Sequence, residues 1–112
     1  MNGVTAVLAA TSNDTRAVEA GAHAYASLTG RYLPLATWHK DDESNLLGEL
    51  VMPMQVGVVE GSVSTHPRAK TALKILGAKT AQELEEVIAS AGLASNLAAL
   101  VALVSEGITS KP

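Results

Sequence analysis

The apolar positions follow two rhythms, and the change between them predicts the elements. The central stretch runs Val51-Met-Pro-Met-Gln-Val-Gly-Val-Val-Glu-Gly-Ser-Val-Ser-Thr-His-Pro67. It reads as an apolar strand, a glycine-containing turn and the opening of a helix. Val56, Val58 and Val59 have the branched bulk that fits a pleated surface, and Gly57 marks a place where another backbone or a ligand comes close. Gly61 allows the turn, Thr65 can cap a helix, and Pro67 suits the first helical turn. Upstream, Val4 to Ala10 is a short apolar run that predicts a buried strand. Thr11-Ser-Asn-Asp14 follows, four residues whose side chains satisfy free backbone donors at helix starts. A helix is expected from Thr15 to Leu28, with small residues such as Ala17, Ala20, Gly21 and Ala24, and Gly30 ends it.

Leu35–Lys40 and Asn45–Met52 flank the polar loop Asp41-Asp-Glu-Ser44, the pattern of a β-hairpin. Pro53 interrupts the ladder there. A helix from Pro67 to Leu76 closes at Gly77. Thr80-Ala-Gln-Glu83 is a capping box that opens a last helix. Leu84, Val87, Ile88, Ala91, Ala94, Leu97, Ala98, Val101 and Val104 recur along it at three- and four-residue spacing. Gly92 is a candidate break in this helix, and Gly107 its stop. The fold class expected is α+β: a small mixed sheet including the hairpin, packed against three to four helices. No repeat or linker divides the chain.

Composition narrows the function classes. The chain has 112 residues, enough for one domain. Apolar residues make up 47% with no Phe, so the core must be built from Ala, Val and Leu. A net charge of −3 suggests no nucleic-acid surface and no basic membrane-binding face. Without cysteine there is no disulfide, thiolate metal site or cysteine nucleophile. The start lacks a basic leader, and Ser90, Ser95 and Asn96 interrupt the most apolar helix. Neither signal peptide nor membrane span is expected, which places the protein in the cytoplasm.

Candidate chemistry is sparse. His23, His39 and His66 show no helical ligand spacing and no adjoining carboxylate pattern, so no metal site is expected. Gly57-Val-Val-Glu-Gly61 lacks the spacing of a phosphate cradle, and no cofactor-binding residue is assigned. Asp14 stands where a buried strand is expected to end and a helix to begin, a place where open α/β sheets present functional groups. As a cap alone it would contribute roughly 1 kcal/mol. Composition and spacing lead no further than an α+β domain with one suggestive Asp.

Several segments together resemble the C-terminal part of the large, substrate-binding domain of class II (bacterial) hydroxymethylglutaryl-CoA reductases. They are Met1-Asn-Gly-Val4, Asn13-Asp-Thr-Arg-Ala-Val-Glu-Ala-Gly-Ala-His-Ala-Tyr-Ala26, Met52-Pro-Met-Gln-Val-Gly57 and Thr65-His-Pro67. Leu76-Gly-Ala-Lys-Thr-Ala-Gln-Glu-Leu84, Gly92-Leu-Ala-Ser-Asn-Leu97 and Ser105-Glu-Gly-Ile108 complete the set. The resemblance covers residues 1–108 and leaves 109–112 as a divergent tail. It implies NAD(P)H-dependent interconversion of hydroxymethylglutaryl-CoA and mevalonate by a Lys, an Asp, a Glu and a His. Asp14 matches the catalytic Asp, which in that family holds a proton network around the thioester oxygen. Asn2 matches an asparagine near the substrate, and the helix around Asn96, Ala99 and Leu103 matches one lining the CoA–substrate cleft. It also implies a homo-oligomer whose small-residue helix and last helix pack against a partner.

The departures from the family pattern set further expectations. The catalytic Lys falls just before Met1, with the Glu and the nucleotide-binding small domain further upstream. Pro112 stands where the catalytic His would fall. In the strand–turn signature Glu60 replaces a Gly and Val63 a Thr, and a Glu in a tight glycine turn costs backbone strain. The resemblance therefore implies a reductase fragment, inactive alone, with NAD or NADP the cofactor of the parent family and neither bound tightly by this chain. The alternatives are a non-catalytic binding or oligomerisation module on the same scaffold, and an enzyme with a different active site.

Overall fold

A computed structural model describes residues 1–58 and 67–105. Expectations placed on Glu60, Gly61, Val63, Thr65, His66, Gly107 and the tail lie outside the described residues. In chain order the elements are α1 (Asn2–Ala10), α2 (Thr15–Ala26), β1 (Ala36–Lys40), β2 (Leu46–Leu50), α3 (Pro67–Leu76) and α4 (Ala81–Ser105). The α+β class is as expected. Among the described residues the sheet is the antiparallel pair β1–β2, with Ala36 opposite Leu50 and Lys40 opposite Leu46.

The first segment differs from its expectation. Val4–Ala10 forms most of helix α1, not a strand. Val4, Leu8 and Thr11 are buried and Val7 half-buried, while Ala6, Ala9 and Ala10 face solvent. That is burial at i, i+3, i+4 and i+7, one stripe of a helix. With Val18, Ala69, Leu73, Ala78, Leu84 and Ile88, the α1 side chains form a core between four helices. Leu8, Leu84 and Ile88 are fully enclosed, and each such burial is worth about 1.5–3 kcal/mol against exposure to water.

Helices α1 and α4 approach closely because glycine stands at their contact. A Cβ on Gly3 would overlap the carbonyl of Ala91, and one on Gly92 would lie 2.8 Å from Val4 Cγ2 and 3.1 Å from Leu50 Cδ2. The Gly3 N–H also donates to Ser95 Oγ at 3.3 Å. Gly92 therefore does not break the last helix, which runs unbroken for 25 residues. It admits α1 and β2 to the helix surface. By length and composition α4 is long and apolar enough to cross a membrane, despite Ser90, Ser95 and Asn96. Here its first half supplies Leu84 and Ile88 to the core. From Leu100 onward Val101, Leu103 and Val104 are exposed as well.

The remaining boundaries follow local chemistry. Thr80 Oγ1 accepts from the Glu83 N–H at 3.1 Å, and the Glu83 carboxylate reaches back to the Lys79 N–H at 3.3 Å, a capping box shifted by one residue. Gly77 takes φ +73° and its N–H closes on Leu73 O at 2.9 Å, ending α3. In the hairpin the Trp38 ring lies over its partner Gly48, where any Cβ would collide with it.

The strand expected from Val51 onward is strand-like in its side chains only. Met52, Met54 and Val56 are half-buried on the helical core, and Val51, Pro53 and Gln55 are exposed. This is the period of two of an extended chain. Val51 still donates its N–H to Leu35 O at 3.1 Å beside the hairpin, but residues 52–58 join no ladder among the described residues.

Replacing Gly3 by Ala forces the α1–α4 contact apart. The expected loss is about 1–3 kcal/mol, the usual cost of overpacking, read as a lower urea midpoint at unchanged slope. An unchanged midpoint would contradict the close approach. The hairpin loop is expected to be acid-sensitive. The Asn45 N–H, at 2.8 Å, is the main cause that holds the Asp41 carboxyl below its usual range, joined by the Asn45 side chain and the Glu43 N–H. A folded value below the unfolded one gives a contribution that is complete above about pH 4 and lost as pH falls through the folded value. Amide exchange at Asn45 that rises already between pH 6 and 5 would contradict this.

Candidate functional site

Asp14 sits at the corner between α1 and α2. Its backbone is extended (φ −77°, ψ 108°), and Oδ1 accepts from the N–H groups of Arg16 at 2.9 Å and Ala17 at 3.3 Å. It is thus the N-cap of α2, as its type and position predict. The side chain is exposed, and the cap engages one carboxylate oxygen and leaves Oδ2 outside it.

The corner that carries Asp14 is fixed by hydrogen bonds to its two preceding polar residues. Thr11 is fully buried, and its Oγ1 donates back to Val7 O at 2.8 Å. The Asn13 Nδ2 group lies 2.9 Å from Thr11 Oγ1 and 3.3 Å from Gly57 O, while Asn13 Oδ1 accepts from the Gly57 N–H at 2.9 Å. Asn13 thereby pairs with the backbone of Gly57 as a neighbouring strand would, and satisfies one residue of an extended segment that has no ladder partner. Its own N–H closes on Leu8 O at 2.8 Å. Ser12 takes φ +57° in making this corner.

Asn2 is the exposed first residue of α1. A nine-residue helix separates it from the Asp14 corner, about 13 Å of axial rise. Asn96 is half-buried on α4, and its Oδ1 accepts from Trp38 Nε1 at 2.8 Å. It lines a pocket of about 310 Å³ with Met1, Val4, Leu35, Leu50 and Gly92. Neither Asp14, Asn2, Ala99 nor Leu103 lines that pocket. Ala99 and Leu103 follow Asn96 at i+3 and i+7, so the three share one face of α4. Ala99 is half-buried and Leu103 is 57% exposed. The structure therefore groups Asn96, Ala99 and Leu103 on one helix, brings Asn2 near their end of α1, and leaves Asp14 at the other end.

Comparison with known proteins gives this arrangement its context. The profile of the family described as hydroxymethylglutaryl-coenzyme A reductase matches residues 1–111. The chain belongs to the hydroxymethylglutaryl-coenzyme A reductase family. It is 54% identical over 108 residues to the 3-hydroxy-3-methylglutaryl-coenzyme A reductase of Archaeoglobus fulgidus, covering 96% of this chain and 24% of that protein. A probable 3-hydroxy-3-methylglutaryl-coenzyme A reductase of Borreliella burgdorferi is 43% identical, again over 96% of this chain and 25% of its own length. Among solved structures, the class II reductase from Streptococcus pneumoniae bound to NADPH in open conformations superposes with a TM-score of 0.85 at 50% identity. That match covers 96% of this chain and 26% of the other. The chain thus spans about a quarter of the length of the relatives it matches.

Two helix starts among the described residues are already occupied and do not suit the pyrophosphate of a dinucleotide. Free helix N-terminal amides and glycine-rich turns are ready-made sites for a pyrophosphate. The first amides of α2 are taken by the Asp14 carboxylate, and the start of α4 carries Thr80 and Glu83 on its own donors. Negative carboxylates at both places repel a phosphate.

Sequence reasoning missed Asn13 as a tie to Gly57 and Trp38 as the partner of Asn96. These pairs lie 44 and 58 residues apart, beyond any local pattern. The amide at position 13, next to a helix cap and facing a Gly expected to meet another backbone, was the one available signal.

Replacing Asp14 separates its structural role from any chemical one. Asp14→Ala is expected to cost about 1 kcal/mol of stability through the lost cap, whereas Asp14→Asn stays within a few tenths of wild type. Chemical denaturation of both variants checks this, and equal losses would mean that the charge, not the cap geometry, stabilises α2.

Proposed function

We propose that this chain is part of the large, substrate-binding domain of a hydroxymethylglutaryl-CoA reductase, over residues 1–108 with 109–112 as a divergent tail. It contributes to the interconversion of hydroxymethylglutaryl-CoA and mevalonate, with NAD or NADP as the cofactor of the whole enzyme. Asp14 is the proton-handling carboxylate, and Asn2, Asn96, Ala99 and Leu103 face the CoA thioester. The observation that carries this reading is the placement of Asp14 on a fixed corner in a chain of this family, with an oxygen left outside the helix cap. A carboxylate held in this way is already oriented when substrate arrives, which is what positioned acid–base catalysis requires.

The chain alone is inactive on this reading, because the Lys, Glu and His that the family resemblance implies lie outside it. The hydride donor is bound by other parts of the enzyme on this reading, since the nucleotide-binding small domain that the family resemblance implies lies outside this chain. The exposed Leu100, Val101, Leu103 and Val104 on α4 are an apolar surface suited to cover by the rest of the enzyme or a second copy. We assign the assembled protein to the cytoplasm as a homo-oligomer, with no membrane or nucleic-acid partner.

The purified 112-residue chain is expected to oxidise no NADPH with hydroxymethylglutaryl-CoA. A complete reductase carrying this chain turns over, and its Asp14→Asn variant loses about 10²- to 10⁴-fold in kcat, the span of a positioned acid–base group. Turnover by the chain alone would overturn its inactivity. Full activity of the Asp14→Asn reductase would overturn the role of Asp14.

A further inference from the structure

We propose that Asn13 is the positioning residue for Asp14, acting by locking the α1–α2 corner to the extended segment that ends at Gly57. The inference rests on the reading of Asp14 as the proton-handling group. Its basis is the way the side-chain amide of Asn13 is used at both ends. Oδ1 accepts from the Gly57 N–H at 2.9 Å, and Nδ2 faces Gly57 O at 3.3 Å. The same Nδ2 group lies 2.9 Å from the hydroxyl of the fully buried Thr11. One amide therefore closes a two-point contact with a backbone 44 residues away and a contact with both the hydroxyl and the carbonyl of Thr11 at the end of α1.

Two-point pairing fixes orientation as well as distance, because both the donor and the acceptor edges of the amide must be satisfied at once. A half-turn of the amide would bring donor to donor at the Gly57 N–H. The next residue in the chain is Asp14, so the plane of the Asn13 contact sets the direction in which the Asp14 backbone leaves the corner. The α2 cap then fixes its Oδ1. Asp14 is thus held from two sides, by its own cap and by the amide of its neighbour. Only the cap is lost when Asp14 itself is changed.

A capping role alone would not need Asn13. Its side chain takes no part in the α2 cap, whose amides are served by Asp14. Nor is it a general filler of the core, since its partners are one hydroxyl and the peptide groups of Thr11 and Gly57. Its effect falls on the relative placement of two segments: the corner carrying Asp14 and the segment of Met52, Met54 and Val56 packed against the helices.

The test uses a complete reductase that carries this chain, with four forms: wild type, Asn13→Leu, Asp14→Asn and Ile88→Ala. Asn13→Leu keeps the side-chain shape and removes every hydrogen bond of the amide to Thr11 and Gly57. Ile88→Ala lowers stability from a buried apolar position on α4 and removes no hydrogen bond of the corner. The expected result is a fall of at least about tenfold in kcat for Asn13→Leu, with KM for the CoA thioester within about threefold of wild type. The limbs of its pH–rate profile also move, because the proton-handling group is displaced. A loss of folded enzyme scales that profile without moving it, and Ile88→Ala is expected to do only that. Asn13→Leu with wild-type kcat and profile, beside an inactive Asp14→Asn, would overturn the positioning role and leave the role of Asp14 standing. A profile merely scaled down in Asn13→Leu, as in Ile88→Ala, would overturn it too, by showing a purely structural residue. Wild-type kcat in Asp14→Asn would overturn the reading on which the inference rests, and the inference with it.

Discussion

Helix α1 lies against α4 with no side chain between them at Gly3, and the rest of the molecule depends on that contact. The missing Cβ atoms of Gly3 and Gly92 let a helix of only nine residues be buried along one full stripe. A helix that short has little stability of its own. Its stability comes from Val4 and Leu8, which the close approach seals into the core with Leu84 and Ile88. The same surface of α4 then receives the hairpin. Leu50 packs at Gly92, and Trp38 reaches Asn96 across the groove. The far end of α1 delivers Thr11, Asn13 and Asp14 to a fixed corner. The packed helix thus carries the corner, and the ties of Asn13 to Thr11 and Gly57 orient it.

Local chemistry made most elements legible. The polar loop Asp41–Ser44, the Thr80–Glu83 box and Gly77 each state their structure within four residues, and the observed hairpin and helices follow them. Helix α1 was the failure. Val4 to Ala10 is a short apolar run, and such runs fit a buried strand as well as a helix. The stripe that decides the matter extends to Thr11, a polar residue that pattern reading assigns to the next turn. Thr11 is buried because its hydroxyl donates back to Val7 O within its own helix, so its burial leaves no unsatisfied group. The segment 51–58 misled in the opposite sense. Its alternation is real, but burial on a helical surface produces the same period of two as a sheet does. Pattern reports which side faces inward, not what supplies the backbone partners.

The candidate site was less legible than the fold. Asp14 announced itself as a helix cap, and nothing in its spacing distinguishes a cap from a catalytic group. Its proposed role came from the resemblance alone. Asn96 was singled out in the same way, yet its observed partner is the Trp38 indole, which only donates and so fixes which edge of the amide faces it. Long-range polar pairs of this kind have no periodic signature, because each depends on two elements first being packed.

The cap and the proposed chemistry of Asp14 are compatible for an electrostatic reason. A helix N-terminus carries partial positive charge, which favours an anion beside it. Using Oδ1 for the Arg16 and Ala17 amides holds the carboxylate in one orientation, so less freedom is lost when Oδ2 meets a substrate. The same arrangement denies that helix end to a phosphate, since the amides are taken and the local charge is negative. Substrate chemistry and dinucleotide binding thus make opposite demands on a helix N-terminus. The corner that holds this carboxylate is therefore not a place for a dinucleotide pyrophosphate.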